Sequence, residues 1–337
     1  MSSQGPCWTN AIAVGSPGSA LAFHDILVLS TIPMKGPLIS IVMPAYNAVT
    51  TLPGAVLGVV NQRYWNWELI IVDDGSSDNP EPAIKQFDDK RIRLIRLARN
   101  RGLASALNVG IASAEGRYIA RMDADDYMED WRLGDQMRHM MLHGLAICGT
   151  GAEKFGLETG SIRSPKWGPD IVNSFLMGNP FVHPTMMLDR EKLDGQLRYD
   201  QEFRCEEDYE LWARVVTAGN CANLDYDSIK YRVASNSNAN HPQKKRLNRI
   251  ALQRFSERMG VADLVPIDEA SELQLAGYVS EPGWRKLVAY ARHAEMKGTP
   301  KLGWVHGALL DLGTFDKFFA WLNEIRRFSP YKYGDAA

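Results

Sequence analysis

From Pro37 onward the chain alternates two kinds of apolar pattern. Leu38-Ile39-Ser40-Ile41-Val42-Met43 is a near-continuous apolar run closed by Pro44, which predicts a buried strand. Leu52, Ala55, Val56, Val59 and Val60 then recur at helical spacing. Trp67 to Val72 predicts a second strand, ending at Asp73-Asp74-Gly75, and Ile92 to Leu97 a third. Leu103, Ala106, Leu107, Gly110, Ile111 and Ala114 form another helical stripe. Arg117 to Met122 reads as a short strand bounded by Gly116; a helix follows with Leu133, Met137, Met140 and Met141 inward, then a strand around Leu145 to Cys148. Strands alternating with helices predict an α/β fold, a mostly parallel sheet with helices on both faces.

Ligands of such sheets bind in the crevice outside the carboxyl ends of the strands. Three predicted strands end there in polar punctuation: Pro44-Ala45-Tyr46-Asn47, Asp73-Asp74-Gly75-Ser76-Ser77 and Asp123-Ala124-Asp125-Asp126. The last is the most informative. Three carboxylates at a strand tip repel one another unless something cationic sits among them. Hard oxygen ligands select Mg²⁺ or Mn²⁺, ions that commonly share their coordination sphere with substrate phosphates. The other reading is a solvated acidic loop in which Asp126 or Asp130 caps the next helix. A dinucleotide site would need a glycine-rich turn after the first strand. Pro44 to Val49 contains no glycine, and no P-loop is present, so phosphate is expected to be neutralised by metal.

Composition narrows the class. The 337 residues, 45% hydrophobic and 23% charged, are those of an ordinary globular protein. A formal charge of −2 argues against a dedicated nucleic-acid binder. Cys7, Cys148, Cys205 and Cys221 are scattered, without metal-ligand spacing, as expected of reduced thiols in a cytoplasmic protein. No apolar run reaches the length needed to span a bilayer. Residues 1–36, rich in Gly, Ser and Pro, are expected to be a loosely ordered extension, 37–240 the main α/β domain, and 241–337 a helical region.

The segments Ser40 to Asn47, Ile71 to Ser76 and Met122 to Asp126, with Glu206-Glu207-Asp208-Tyr209-Glu210-Leu211-Trp212, resemble family 2 glycosyltransferases of the GT-A fold. The resemblance covers residues 37 to 235 and keeps the family's motif order. It implies transfer of a sugar, with inversion, from a nucleotide-sugar donor of the UDP-sugar type to a glycan or lipid-linked acceptor in surface-glycan synthesis. By the same resemblance Pro44, Tyr46, Asn47 and Asp74 line the nucleoside site, Asp123 lies near the ribose, and Asp125 of the D-x-D triplet ligates Mn²⁺ or Mg²⁺. Asp208 is the implied general base, with Glu207 beside it in the substrate site. The chemistry is compatible: a divalent ion stabilises the leaving diphosphate, and a carboxylate deprotonates the acceptor hydroxyl. Acids in Glu206-Glu207-Asp208 would equally favour a helix N-terminus.

Other positions carry two readings. His183, between Pro180 and Pro184, is either an active-site residue or a turn histidine; Arg101 either reaches the diphosphate or is an exposed arginine at a helix start. Family members often follow a Tyr-Arg pair with histidine; here Tyr231-Arg232-Val233-Ala234 has alanine, and Arg232 or His241 are the available substitutes. Gln243 to Leu247 matches the Q-x-x-R-W segment of processive members except for its tryptophan, which favours addition of a single sugar. Lys244, Lys245, Arg246, Arg249, Arg254 and Arg258 flank an inner stripe of Leu247, Ile250, Ala251 and Phe255. A second stripe runs from Phe315 to Ile325. Such stripes are either packed core with a solvated basic face or a peripheral contact with anionic membrane at the inner face of the plasma membrane. A nucleotidyltransferase, which would begin with a glycine-rich basic loop, and a non-catalytic glycan-binding module are the alternatives from other classes.

Overall fold

The computed structural model describes residues 36–175, 179–234 and 241–259. Gly36 apart, these belong to one unit that begins at Pro37. Most of the expected N-terminal extension, the stripe from Phe315 to Ile325, and Cys7 lie outside the described residues.

Among the described residues, nine strands form one mixed sheet. β1 (Ile39–Ala45), β2 (Trp67–Asp73), β3 (Ile92–Arg96) and β4 (Tyr118–Arg121) make its parallel half, in the order β3-β2-β1-β4. β8 (Met187–Asp189) joins β4 antiparallel, and β6 (Ile147–Gly156) follows. Beyond it lie β9 (Cys221–Val233), parallel to β6, and β5 (Tyr127–Met128), antiparallel to β9; β7 (Gly160–Ile162) pairs with β6 off the main path. The strand expected around Leu145 to Cys148 is the start of this longer β6.

Alternation along the strands builds two cores. Ile41 and Met43 of β1, with Leu69 and Ile71 of β2, face α1 (Leu52–Val60) and α4 (Arg132–His143). Val42, Ile70 and Val72 face the opposite layer, with α3 (Leu103–Ser113), α6 (Glu207–Val215) and α7 (Lys244–Met259). The sheet is therefore buried on both faces, which is why β1 and β2 read as continuous apolar runs rather than alternating ones. A Cβ on Gly110 of α3 would stand 2.4 Å from Val42 Cγ1, so only glycine lets this helix cross β1 so closely. One expectation fails: Met141 is 53% exposed, because the stripe of α4 turns inward through Leu133, Met137 and Met140 only.

A buried polar staple fixes the end of β4. Arg132, fully buried, donates from Nη2 to the Arg121 and Met186 carbonyls and from Nε to Gln136 Oε1. Burial pushes its pKa down to about 9. Gln136 donates in turn to the Cys148 and Thr185 carbonyls at 2.8 and 2.7 Å. These two side chains serve carbonyls of β4 and of the segments around β6 and β8, where the strands diverge toward the acidic tetrad. Gln136→Leu strands those acceptors in an apolar interior, where each unsatisfied group costs about 1–3 kcal/mol. Urea unfolding should show a loss of about 3 kcal/mol; a midpoint equal to wild type would mean that water serves these carbonyls.

Candidate active site

The polar ends of β1, β2 and β4 meet at one edge, as the strand order requires. Pro44 is still inside β1, buried and opposite Val72, and Tyr46 is the first exposed side chain, at 52%. The loops after β1 and β2 are stitched together. Asn47, in the left-handed region at φ 50°, accepts from Ser77 N and Oγ at 2.9 and 3.0 Å, and its own N–H donates to Ser76 Oγ at 2.9 Å. Gly75 makes the turn between them at φ +71°, and a Cβ there would collide with the Arg99 backbone.

Asp73 and Asp74 divide their work. Asp73, fully buried, accepts from Arg96 Nε at 2.9 Å and from Ser76, and so organises the loop. Both oxygens of Asp74 accept backbone N–H groups, Arg101 and Gly102, at 2.8 Å each. Asp74 therefore pins the start of α3, and Arg101 enters the site first through its backbone rather than its side chain.

The acidic tetrad forms a compact triad. Carboxylate oxygens of Asp123, Asp125 and Asp126 all lie within 4.8 Å of one another. Burial and then the Asp123 charge raise the pKa of Asp125, and they raise that of Asp126 further. Asp126 Oδ1 accepts from Arg232 N at 2.7 Å, while its Oδ2 is buried without a partner. Neither Asp126 nor Asp130 caps α4: the N-cap is Trp131, with no side-chain capping bond, and Asp130 pairs with Arg63. Two cations attend the triad. Arg121 pairs with Asp123 from a buried position, and Arg232 stacks 4.5 Å over Phe155 while donating to the Asp125 carbonyl at 3.1 Å.

The second acidic group sits at the start of α6. Glu207 and Asp208 are buried there, 5% and 8% exposed. Asp208 is held by Asn179 Nδ2 at 2.6 Å on one oxygen and by the Tyr209 N–H at 2.8 Å on the other. Burial raises its pKa, and burial followed by the Asp208 charge pushes Glu207 up to about 8. His183 lies in a 3₁₀ turn, His183–Thr185, with Nε2 2.8 Å from Tyr199 Oη and Nδ1 3.9 Å from Glu207. Burial, and then the Arg121 charge, hold its pKa well below the usual histidine range. His183 is thus a turn residue that also lies beside the acidic segment.

Arg121 is the residue that sequence reasoning missed. Its charge acts on Asp125 and Asp126 on one side and on His183, Glu207 and Asp208 on the other. Burial opposes that charge, yet Asp123 more than offsets the penalty and the pKa is raised. The signal was present: three carboxylates call for a cation, and Arg121 stands two residues before them. Asn179 gave no such signal, because only the fold brings it to Asp208.

On α7, Leu247, Ala251 and Phe255 are buried as expected. Lys244, Arg254 and Arg258 turn to Glu206, to Glu210 with Asp200, and to the Ala213 and Val216 carbonyls, while Arg246 and Arg249 are exposed. Among the described residues no helix is long and apolar enough to cross a membrane.

Two acidic groups, the triad after β4 and the pair at the start of α6, both feel the charge of the buried Arg121. Comparison with known proteins makes the class definite. The glycosyl transferase family 2 model matches residues 40–197. The Escherichia coli protein named UDP-Glc:alpha-D-GlcNAc-diphosphoundecaprenol beta-1,3-glucosyltransferase WfgD is 32% identical over 204 residues, 59% of this chain and 79% of that protein. An uncharacterized glycosyltransferase of Haemophilus influenzae is 29% identical over 263 residues, 71% of this chain and 80% of its own length. The crystal structure of S. aureus TarS 1–349 in complex with UDP-GlcNAc shares the fold, with TM-score 0.57 at 15% identity over 87% of this chain and 93% of that one. The chain belongs to glycosyltransferase family 2, and its fold is of the GT-A type.

Proposed function

We propose that this enzyme moves one sugar from a UDP-sugar to a hydroxyl of a glycan or lipid-linked acceptor, with inversion at the anomeric carbon. The observation that carries the reading is the pairing of a largely buried carboxylate triad after β4 with a second, buried carboxylate at Asp208, both within the electrostatic reach of the buried Arg121. Tyr46, Asn47 and Asp74 form the nucleoside end with Pro44 beneath, and Asp123 lies toward the ribose. Arg101 is placed at the phosphate side of that loop, while Glu207 and His183 shape the sugar site beside Asp208.

The triad suits Mn²⁺ or Mg²⁺, since every donor is a hard carboxylate oxygen and the buried Asp126 Oδ2 has no other partner. Asp125 would be the principal ligand, and the bound ion would stabilise charge on the leaving diphosphate as a Lewis acid. Asp208 accepts the acceptor's hydroxyl proton as the new C1–O bond forms and the C1–O bond to phosphate breaks. Asn179 and the Tyr209 N–H hold its two oxygens in place for that transfer. The name of the E. coli relative, which specifies UDP-glucose and a diphosphoundecaprenol-linked acceptor, supports a similar donor and a lipid-linked acceptor here. On this reading residues 37–240 are the catalytic domain, working in the cytoplasm at the inner face of the plasma membrane.

The test is stereochemical. One base and one in-line displacement leave no covalent glycosyl-enzyme, so an α-linked donor gives a β-linked product. Proton NMR of the fresh product reads the anomeric coupling constant directly. A product with the donor's own configuration would overturn the role of Asp208.

A further inference from the structure

Helix α7 grips the helix that carries the buried acids. Phe255 stacks on Phe175 with centroids 4.7 Å apart, and Phe175 stacks on Tyr209 at 5.4 Å. Arg258 donates to the Ala213 and Val216 carbonyls at 2.8 and 2.5 Å, covering the carbonyl end of α6. Arg254 lies 2.5 Å from Glu210 and 2.9 Å from Asp200. Lys244 Nζ lies 3.1 Å from Glu206 Oε1. Three cations of one helix thus meet the end, the middle and the beginning of the other.

Glu206 is where this grip reaches the acids. It is the N-cap of α6 in the left-handed region, φ 63° and ψ 20°, and its side chain makes no capping bond. A non-glycine residue persists there only when its surroundings hold it. Its carbonyl accepts the Glu210 N–H at 3.0 Å, so its backbone sets the first turn of α6. Its side chain is 8% exposed, and burial followed by the Asp208 charge pushes the pKa up to about 7 against the pull of Lys244. Without Lys244 this carboxylate would be buried beside Asp208 with no cation from α7, and the backbone would gain by turning it to water.

We propose that Lys244 is a positioning residue for sugar transfer: by pairing with Glu206 it holds the left-handed turn from which Glu207 and Asp208 are presented to the acceptor. The inference rests on Asp208 being the base, and it adds a contact from outside the 40–197 family match. Displacement of a reacting group by about 1 Å costs on the order of 10²-fold in rate, so even partial relaxation of this turn is measurable.

The test uses the full chain and the variants Lys244→Met, Lys244→Arg and Lys244→Met with Glu206→Gln. Amide exchange by mass spectrometry over residues 203–210 should be at least about tenfold faster in K244M and near wild type in K244R. Release of UDP from UDP-glucose with Mn²⁺ should show kcat about tenfold lower in K244M at unchanged KM. K244R should restore it, and adding E206Q to K244M should recover part of the loss because no buried charge is left unpaired. Unchanged exchange in K244M, whatever the donor sugar, overturns the proposal; so does an equal loss in K244R or a parallel rise in KM. Failure of the base assignment looks different. Asp208→Asn would then turn over normally while K244M still loosened 203–210, whereas a dead D208N beside a fully active K244M sinks the Lys244 role alone.

Discussion

Asp208→Asn should keep nucleotide-sugar affinity and lose transfer by about 10²–10⁴-fold, the usual contribution of a general base. Asparagine keeps the size of the side chain, retains one acceptor for the two donors Asn179 Nδ2 and Tyr209 N–H, and cannot take the acceptor's proton. Calorimetric titration with a UDP-sugar and single-turnover transfer separate the two effects. Loss of donor binding with unimpaired transfer at saturation would move Asp208 into the nucleotide site. The wild-type pH profile follows from the same burial. Asp208 and Glu207 have raised pKa values, the latter about 8, and the base acts only when deprotonated. Transfer should therefore rise with pH through the neutral range, with a limb belonging to the pair rather than to one residue. A rate already flat by pH 5 would mean that the acceptor-bound site no longer raises the acids.

Asp125→Ala should lower donor turnover at least about 10²-fold, comparable to removing one strong electrostatic stabiliser, and chelation of wild type should do the same. The variant should nevertheless be no less stable than wild type when both are metal-free. Burial and then the Asp123 charge raise the pKa values of Asp125 and Asp126, so deleting one carboxylate relieves repulsion in the metal-free protein. Thermal melts with and without Mn²⁺ check this: wild type should be stabilised by the ion and D125A should not. Undiminished transfer in excess EDTA would end the metal-dependent mechanism.

Much of the parallel half of the sheet was legible because its strands are buried on both faces and its helices keep apolar stripes. The motif loops at its edge were legible from their polar residues, although Asp73 is the buried last residue of β2 rather than part of the loop. What escaped is what depends on distant approach. Asn179 meets Asp208 across 29 residues, and Arg232 meets Asp126 across 106. Neither distance leaves a periodicity in the chain. Met141 was misplaced because a methionine beside an inward methionine looks alike in one dimension, while the helix turns it 100° away. Three basic residues of α7 hid their partners for a related reason: Lys244, Arg254 and Arg258 meet acids and carbonyls that only the fold brings near.

The stitched loops after β1 and β2 bear on the entropy of binding. Asn47, Ser76, Ser77 and the two N–H groups held by Asp74 are already in place before any donor arrives, so little ordering entropy is left to lose there on binding. If these loops hold the nucleoside, as proposed, the binding energy gained there is not spent on closing a loop, and affinity for the common part of a donor comes without an ordering cost.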